Sequence, residues 1–419
     1  MFTQWNARPV CRAASEGHRQ VTIHRKASRC IRDYPLQIQL RVDPTSSDER
    51  QRRDRQENVP LAGQALDRIS FMKALVILLL LAPPLDAQVR PVHTYSIVAR
   101  DAETGEIGVA VQSHWFAVGQ IVPWAEAGVG AVATQSFVDP SYGPLGLDLL
   151  RAGRSAPDSL RGLLVADGAC QVRQVAMIDA SGRVATFTGG DNIESAGGLA
   201  GDGKASTIAC GSSGGTITVG TEFAVQANLM ASDEVWPAME SAYNSTEGDL
   251  AERLLAALDA AQSAGGDIRG KQSAALIVVS GTPSGKAWQD ELFHVRVDDA
   301  SDPLGELRRL VALQRAYNHM NAGDLAVEHG DAERALREYA AAERIAATTR
   351  GVPTSRHAEM IYWTAVSLVN MQRVEEALPL FARAFEMQPS WRELTPRLPA
   401  SGLLPDDADL IRRIVEARR

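Results

Sequence analysis

The hydrophobic period of this chain changes at Pro303 and does not change back. Before it, from Thr94 to Val297, apolar residues fall in short runs separated by Gly, Ser, Thr and Asp. After it they recur at helical spacing, and no strand-like run survives. Side chains repeat every second residue in a strand and about every 3.6 residues in a helix, so the two patterns bury different faces. The switch predicts two regions, an α+β domain over 88–300 and an all-α region over 303–419.

Within the first region, TYSIVAR (94–100) and GVAVQSHW (108–115) read as a hairpin, and VGAVATQSF (129–137) as a third strand. QVAMIDA (174–180), the turn Ser181-Gly182 and RVATFTG (183–189) read as a second hairpin. FAVQANL (223–229), SAALIVVS (273–280) and ELFHVRV (291–297) are further strands. The Gly-, Ser- and Thr-rich stretch 189–220 reads as one long loop. Helices are expected after the capping residue Ser155, from Ser232, and from a cap near Thr246. Strand pairs alternating with helices suggest two stacked sheets covered by helices.

Residues 72–87, MKALVILLLLAPPLDA, have the charged, apolar and small-residue order of a secretory signal, and their apolar run is too short to span a bilayer. The chain is therefore expected to be secreted or periplasmic, with no membrane span after cleavage. Residues 1–71 are then a spurious or disordered extension. They carry 13 Lys/Arg against 8 Asp/Glu, and 72–87 carry one of each. The net charge of −8 thus leaves −13 on residues 88–419, a balance that argues against a nucleic-acid partner. Cys170 and Cys210 follow the signal; they either pair in an oxidising compartment or remain free. The scattered His residues and the lack of CxxC give no metal site, and no cofactor is expected.

Past Pro303, Gly323, Gly330, Asp331, Ala335, Leu336, Tyr339 and Ala342 form one set of small and aromatic positions. Ala365, Ala377, Leu378, Phe381, Ala384 and Pro389 form a second. These sets resemble tetratricopeptide repeats, with TTRGVPTS (348–355) lengthening the link between them. The alternative is a generic helical hairpin bundle. The repeats are expected to dock a protein partner, and a homodimer is a candidate assembly.

The stretches TYSIVARDAETGEIGVAVQSHWFAVG, VPWAEAGVGAVATQSFVDPSYGPLGLDLL, FAVQANLM, GDLAERLLAALDAAQSAGGDIRGKQSAALIVV and HVRVDD resemble a bacterial family, domain of unknown function 1028. The resemblance implies an Ntn-hydrolase-like fold, a four-layer αββα sandwich. In that class a Thr, Ser or Cys at a free N-terminus is the nucleophile, and its α-amine, with a pKa near 8, is the base. The resemblance puts Thr94 in that role, although signal cleavage after Ala87 leaves QVRPVH ahead of it. A second scission at His93–Thr94 would be required. No Lys lies between Thr94 and Asp202 to tune the hydroxyl. His114 is a substitute proton-transfer group and Ser113 an alternative nucleophile, with Ser96 beside them. Gln135 and Ser136 stand where oxyanion donors are placed, and Gln112, Trp115, Asp139 and Asn228 are substrate-binding candidates. The expected function is hydrolysis of an amide bond in a small or peptide-like substrate. The alternative is a non-catalytic scaffold whose repeats dock a partner.

Overall fold

A computed structural model describes residues 92–418. The expected extension 1–71 and signal 72–87 lie outside the described residues. The first region contains strands β1 (Thr94–Arg100), β2 (Ile107–Ser113), β3 (Pro123–Glu126) and β4 (Gly130–Ser136), then helices α1 (Tyr142–Arg151) and α2 (Ala156–Ala166). Strands β5 (Arg173–Asp179), β6 (Arg183–Gly189), β7 (Gly197–Ala200), β8 (Lys204–Ile208), β9 (Gly215–Thr221) and β10 (Phe223–Ala227) follow. Helices α3 (Val235–Ser245) and α4 (Leu250–Ser263), strand β11 (Ser273–Val279), the short α5 (Ala287–Asp290) and strand β12 (Glu291–Val297) complete it.

The strands form two antiparallel six-stranded sheets. Sheet I runs β12-β11-β2-β1-β10-β7, and sheet II runs β3-β4-β5-β6-β9-β8. Three cores separate the layers. Tyr95, Ile97 and Ala99 of β1 pack on Leu254 and Leu258 of α4. Val98, Val109 and Val111 pack between the sheets on Ala131, Ala133, Ala176 and Ile178. Val132, Val175 and Met177 pack on Leu160 and Leu164 of α2. Alternate residues of one strand thus enter different cores, and both faces of the central strands are buried. The region is α+β, with helices on the outer faces of two stacked sheets.

The expected strand runs fall on β1, β2, β4, β5, β6, β10, β11 and β12. The single loop over 189–220 is corrected: it holds β7, β8 and β9. Strands β7 (GGLA) and β8 (KASTI) lack the apolar alternation that marks a strand, and in β9 it is confined to Ile217 and Val219 among Gly and Thr, while β-branched Thr still suits the pleat. Strand β3 and helix α1 were also not expected. Helix α4 starts at Asp249 rather than Thr246, because the Asp249 carboxylate accepts the Glu252 N–H at 2.9 Å. The Ser155 cap stands, with its hydroxyl accepting the Asp158 N–H at 3.1 Å. Cys170 and Cys210 are joined as a disulfide, which resolves their alternatives in favour of pairing.

The rest of the described chain is helical: α6 (Pro303–Glu328), α7 (Ala332–Thr348), α8 (Thr354–Asn370), α9 (Val374–Met387), α10 (Ser390–Leu394) and α11 (Ala408–Val415). Helix α6 belongs to both regions. Its Leu304, Leu307 and Val311 join the core of β1 and α4, and Arg308 bonds Glu252 and Asp259. Its later residues Ala316, Met320 and Ala326 pack with Ala335, Tyr339 and Ala342 of α7. A Cβ on Gly323 would stand 2.4 Å from the Tyr339 ring, so only glycine admits that ring between the helices. Helices α8 and α9 pair through Tyr362, Ala365, Phe381 and Phe385, with Ile414 of α11 in the same core. Two helical hairpins with small residues at their crossings are consistent with repeats.

Candidate functional site

Strand β1 lies in sheet I, with one face turned toward sheet II. Ser96 and Val98 share its inward face with Thr94, and the facing strands bring their inward polar residues to the same end. Gln135 of β4, Gln174 of β5, Gln226 of β10 and Asn228 just beyond it all have no exposed surface. They are bonded to one another. The Gln135 amide donates to the Thr94 carbonyl at 3.0 Å and to Gln174 Oε1 at 2.7 Å. Asn228 Nδ2 donates to Gln174 Oε1 at 2.9 Å. Ser96 donates to Gln135 Oε1 at 2.7 Å and accepts from Gln226 at 3.2 Å. A buried carboxamide without partners would cost about 1–3 kcal/mol, so the cluster exists only because its members satisfy each other.

The Thr94 hydroxyl has one proton and two acceptors in reach, the Val92 carbonyl at 3.0 Å and Ser113 Oγ at 3.1 Å. The carbonyl oxygen of His93, on the peptide bond preceding Thr94, accepts from Ser113 Oγ at 2.5 Å and from Arg269 Nη2 at 3.0 Å. Arg269 is held by Asp267, whose carboxylate takes its Nε at 3.0 Å and its Nη2 at 2.6 Å. The segment ahead of Thr94 is threaded between the sheets. The Ser136 N–H donates to the Val92 carbonyl at 2.8 Å, and the His93 ring bonds Asn228 Oδ1 at 3.0 Å. Burial pushes the His93 imidazole below its usual pKa; the Asn228 bond opposes the shift and the Arg269 charge adds to it. Ser136 has a left-handed backbone, φ +70°, and its buried hydroxyl has no hydrogen-bond partner among the described residues.

The sequence-derived candidates divide into two groups. Thr94, Ser96, Ser113, Gln135 and Asn228 converge, and Ser136 stands beside them through its backbone. Gln112 does not. It lies opposite Tyr95 and Ala274, both in the core against the helices, so its side chain faces away from Thr94. Its carboxamide is buried with no partner among the described residues. His114 joins the site only through its backbone N–H, which donates to Asp267 at 3.2 Å; no hydrogen bond links its ring to Thr94 or Ser113. Trp115 packs against the inter-sheet core, and its carbonyl accepts from Ser273. Asp139 accepts the Ser141 N–H and lies 4.0 Å from Arg173. Sequence reading missed His93, Gln174, Gln226, Asp267 and Arg269. The two glutamines did leave a signal, each being a lone carboxamide in an apolar strand. Arg269 left none, because it lies 175 positions from Thr94.

Among the described residues, no three or more of His, Cys, Asp and Glu converge as metal ligands, and no helix is long and apolar enough to cross a membrane.

No curated protein matches the chain. Among solved structures, it is similar to a crystal structure of a Silicibacter pomeroyi protein from family DUF1028. The identity is 28% and the TM-score 0.42, over 56% of this chain and 89% of that one. The model of the family of unknown function DUF1028 matches residues 94–211 and 206–307, which together span half the chain. The chain is therefore a member of the DUF1028 family.

Proposed function

We propose that the protein is an exported amidohydrolase of the Ntn class, with Thr94 as nucleophile, acting on an amide bond in a small or peptide-like substrate. The observation that carries this reading is the pair of donors on the His93 carbonyl oxygen. Ser113 Oγ and Arg269 Nη2 hold that oxygen as an oxyanion site holds a developing negative charge, and the Thr94 hydroxyl lies next to the same carbonyl. In the first step the Thr94 Oγ1 attacks the His93 carbonyl carbon. The C–N bond breaks, and the hydroxyl proton passes to the departing nitrogen. Water then hydrolyses the ester, leaving a carboxylate on His93 and a free amine on Thr94. That amine, with a pKa near 8, serves as base for the Thr94 hydroxyl in later turnovers. The two donors then face the carbonyl of an incoming substrate, where the His93 carbonyl had been.

Export rests on the signal-like segment 72–87 and accords with the Cys170–Cys210 disulfide. The helical hairpins are read as tetratricopeptide-like repeats that dock a protein partner.

The test is the mass and N-terminal sequence of protein purified after export. A chain starting at Thr94 is expected, with Thr94→Ala retaining the upstream residues. If every wild-type molecule starts at Gln88, the nucleophile mechanism fails. The non-catalytic scaffold reading then takes its place, since Thr94 would stay buried behind Val92 and His93.

A further inference from the structure

We infer that the molecule has a saccharide-binding cleft at the open edge of the sandwich, whether or not Thr94 is a nucleophile. The two sheets are offset. Strand β7 ends sheet I over β6 and β9, whereas β8 continues sheet II beyond that edge. The inward faces of β6, β9 and β8 thereby become the floor of a cleft of about 600 Å³, within the size range of small-molecule sites.

Cross-strand register sets the chemistry of that floor. Thr188, Thr216 and Thr207 form one row of hydroxyls, and Thr186 and Thr218 stand in the next. Thr188 Oγ1 accepts from Gln174 at 2.9 Å, which leaves its own proton to donate into the cleft. On the opposite wall stands Trp236, half-buried against Gly197, where a Cβ would meet the indole at 2.7 Å. The glycine lets an aromatic ring sit beside the hydroxyl floor. Asn192 uses its amide nitrogen on the Arg173 and Gly189 carbonyls, while its buried Oδ1 has no donor from the described residues.

The cleft lining includes Glu194 and Asp233 but no Lys, Arg or His. An anionic ligand would meet only like charge there, and an apolar one would strip water from the threonines without replacing those bonds. A neutral saccharide meets both demands: its hydroxyls exchange bonds with threonines, amide and carboxylates, and its C–H face covers the indole. The Gln174 amide also donates to the Gly197 carbonyl at 3.2 Å, and its oxygen takes the Gln135 and Asn228 donors. One side chain thus joins the cleft wall to the Thr94 cluster.

The experiment is calorimetric titration of the full chain carrying Thr94→Ala, so that binding is read without turnover. The probes are chitotriose and cellotriose as neutral ligands and trigalacturonic acid as the anionic one. At least one neutral trisaccharide is expected to bind with a Kd near or below about 1 mM, and the anionic one about tenfold more weakly. Trp236→Ala is expected to weaken the neutral ligand about tenfold and Thr216→Val about threefold. Should Trp236→Ala fail to fold by circular dichroism, Thr216→Val, at an exposed strand position, carries the comparison alone. Absence of neutral binding at 10-fold higher concentration overturns the proposal, as does equal binding of trigalacturonic acid. So does unchanged affinity in the folded cleft variants. Because scission at Thr94 plays no part in this readout, failure of the nucleophile reading leaves it standing.

Discussion

The space between the two sheets and the interior of the helical hairpins are built by opposite rules. Between the sheets, Thr94, Ser96, Gln135, Gln174, Gln226 and Asn228 are fully buried and bonded to each other. Among α6 to α9 the interior is apolar, with alanines and aromatics such as Ala335, Ala365, Ala377, Tyr362 and Phe381 beside aliphatic residues such as Ile361, Val366 and Leu368. Its few buried hydroxyls make isolated ties rather than a network, as Tyr339 does to Asp324 at 2.7 Å and Ser367 at 3.0 Å. A core needs no amides to be stable, since apolar side chains of similar volume do as well or better. A region that nonetheless buries six polar side chains between its sheets must keep each of them bonded, and Gln135 and Asn228 both donate to the Thr94 carbonyl. The helical region spends its interior on packing alone.

That contrast can be broken most forcefully at Tyr339. Tyr339→Ala removes the ring that fills the gap over Gly323 and is expected to cost about 4 kcal/mol in denaturant unfolding. The Thr94-starting fragment should still form at the wild-type rate. Loss of scission in a folded Tyr339→Ala protein would show that the two regions do not work separately.

Next in size is the disulfide. Replacing Cys170 and Cys210 by Ser releases a loop of 40 residues' separation and is expected to lower stability by about 3 kcal/mol. The wild-type protein should show the same loss in reductant, and the double variant should be insensitive to it.

Gln174→Leu tests the polar rule directly. It removes one hydrogen-bond partner each from Gln135, Asn228, Thr188 and the Gly197 and Ala227 carbonyls, at a cost of about 2 kcal/mol. A loss below about 0.5 kcal/mol would mean the network is not an interdependent unit.

The smallest effect concerns pH. The folded state lowers the His93 pKa, so as pH falls through the unfolded value near 6.5 the unfolded chain takes up the proton first. The His93 contribution is therefore present above that pH. It is lost progressively on acidification, down to the folded pKa. His93→Gln should flatten urea stability across that window; an unchanged slope would show that the imidazole is solvated.

How much of this was legible depends on which interactions recur locally. Strands such as ELFHVRV carry alternating burial and were readable to the residue, as was the Ser155 cap. Strands β7, β8 and β9 were not, because β7 and β8 are short and lack apolar alternation, and in β9 it is confined to Ile217 and Val219 among Gly and Thr. Thr94, Ser113, Gln135 and Asn228 are legible from family resemblance and from their places at strand ends. Gln112 was misplaced by one residue of pleat, which turns a side chain to the opposite face of the sheet. Arg269 was invisible, since nothing local ties it to Thr94.

By itself the amino-acid sequence determined where strand period gives way to helix period at Pro303, that Thr94 opens the first strand, and that the region beyond it is acidic. These follow from neighbours along the chain, whose spacing settles which face is apolar. Tertiary structure alone decided that the peptide bond before Thr94 would lie under Ser113 and Arg269. It also decided that Cys170 would meet Cys210, and that Gln174 would stand between the Thr94 cluster and the threonine floor. Those partners come from separate strands and loops, and only the stacking and register of two sheets bring them within hydrogen-bond reach.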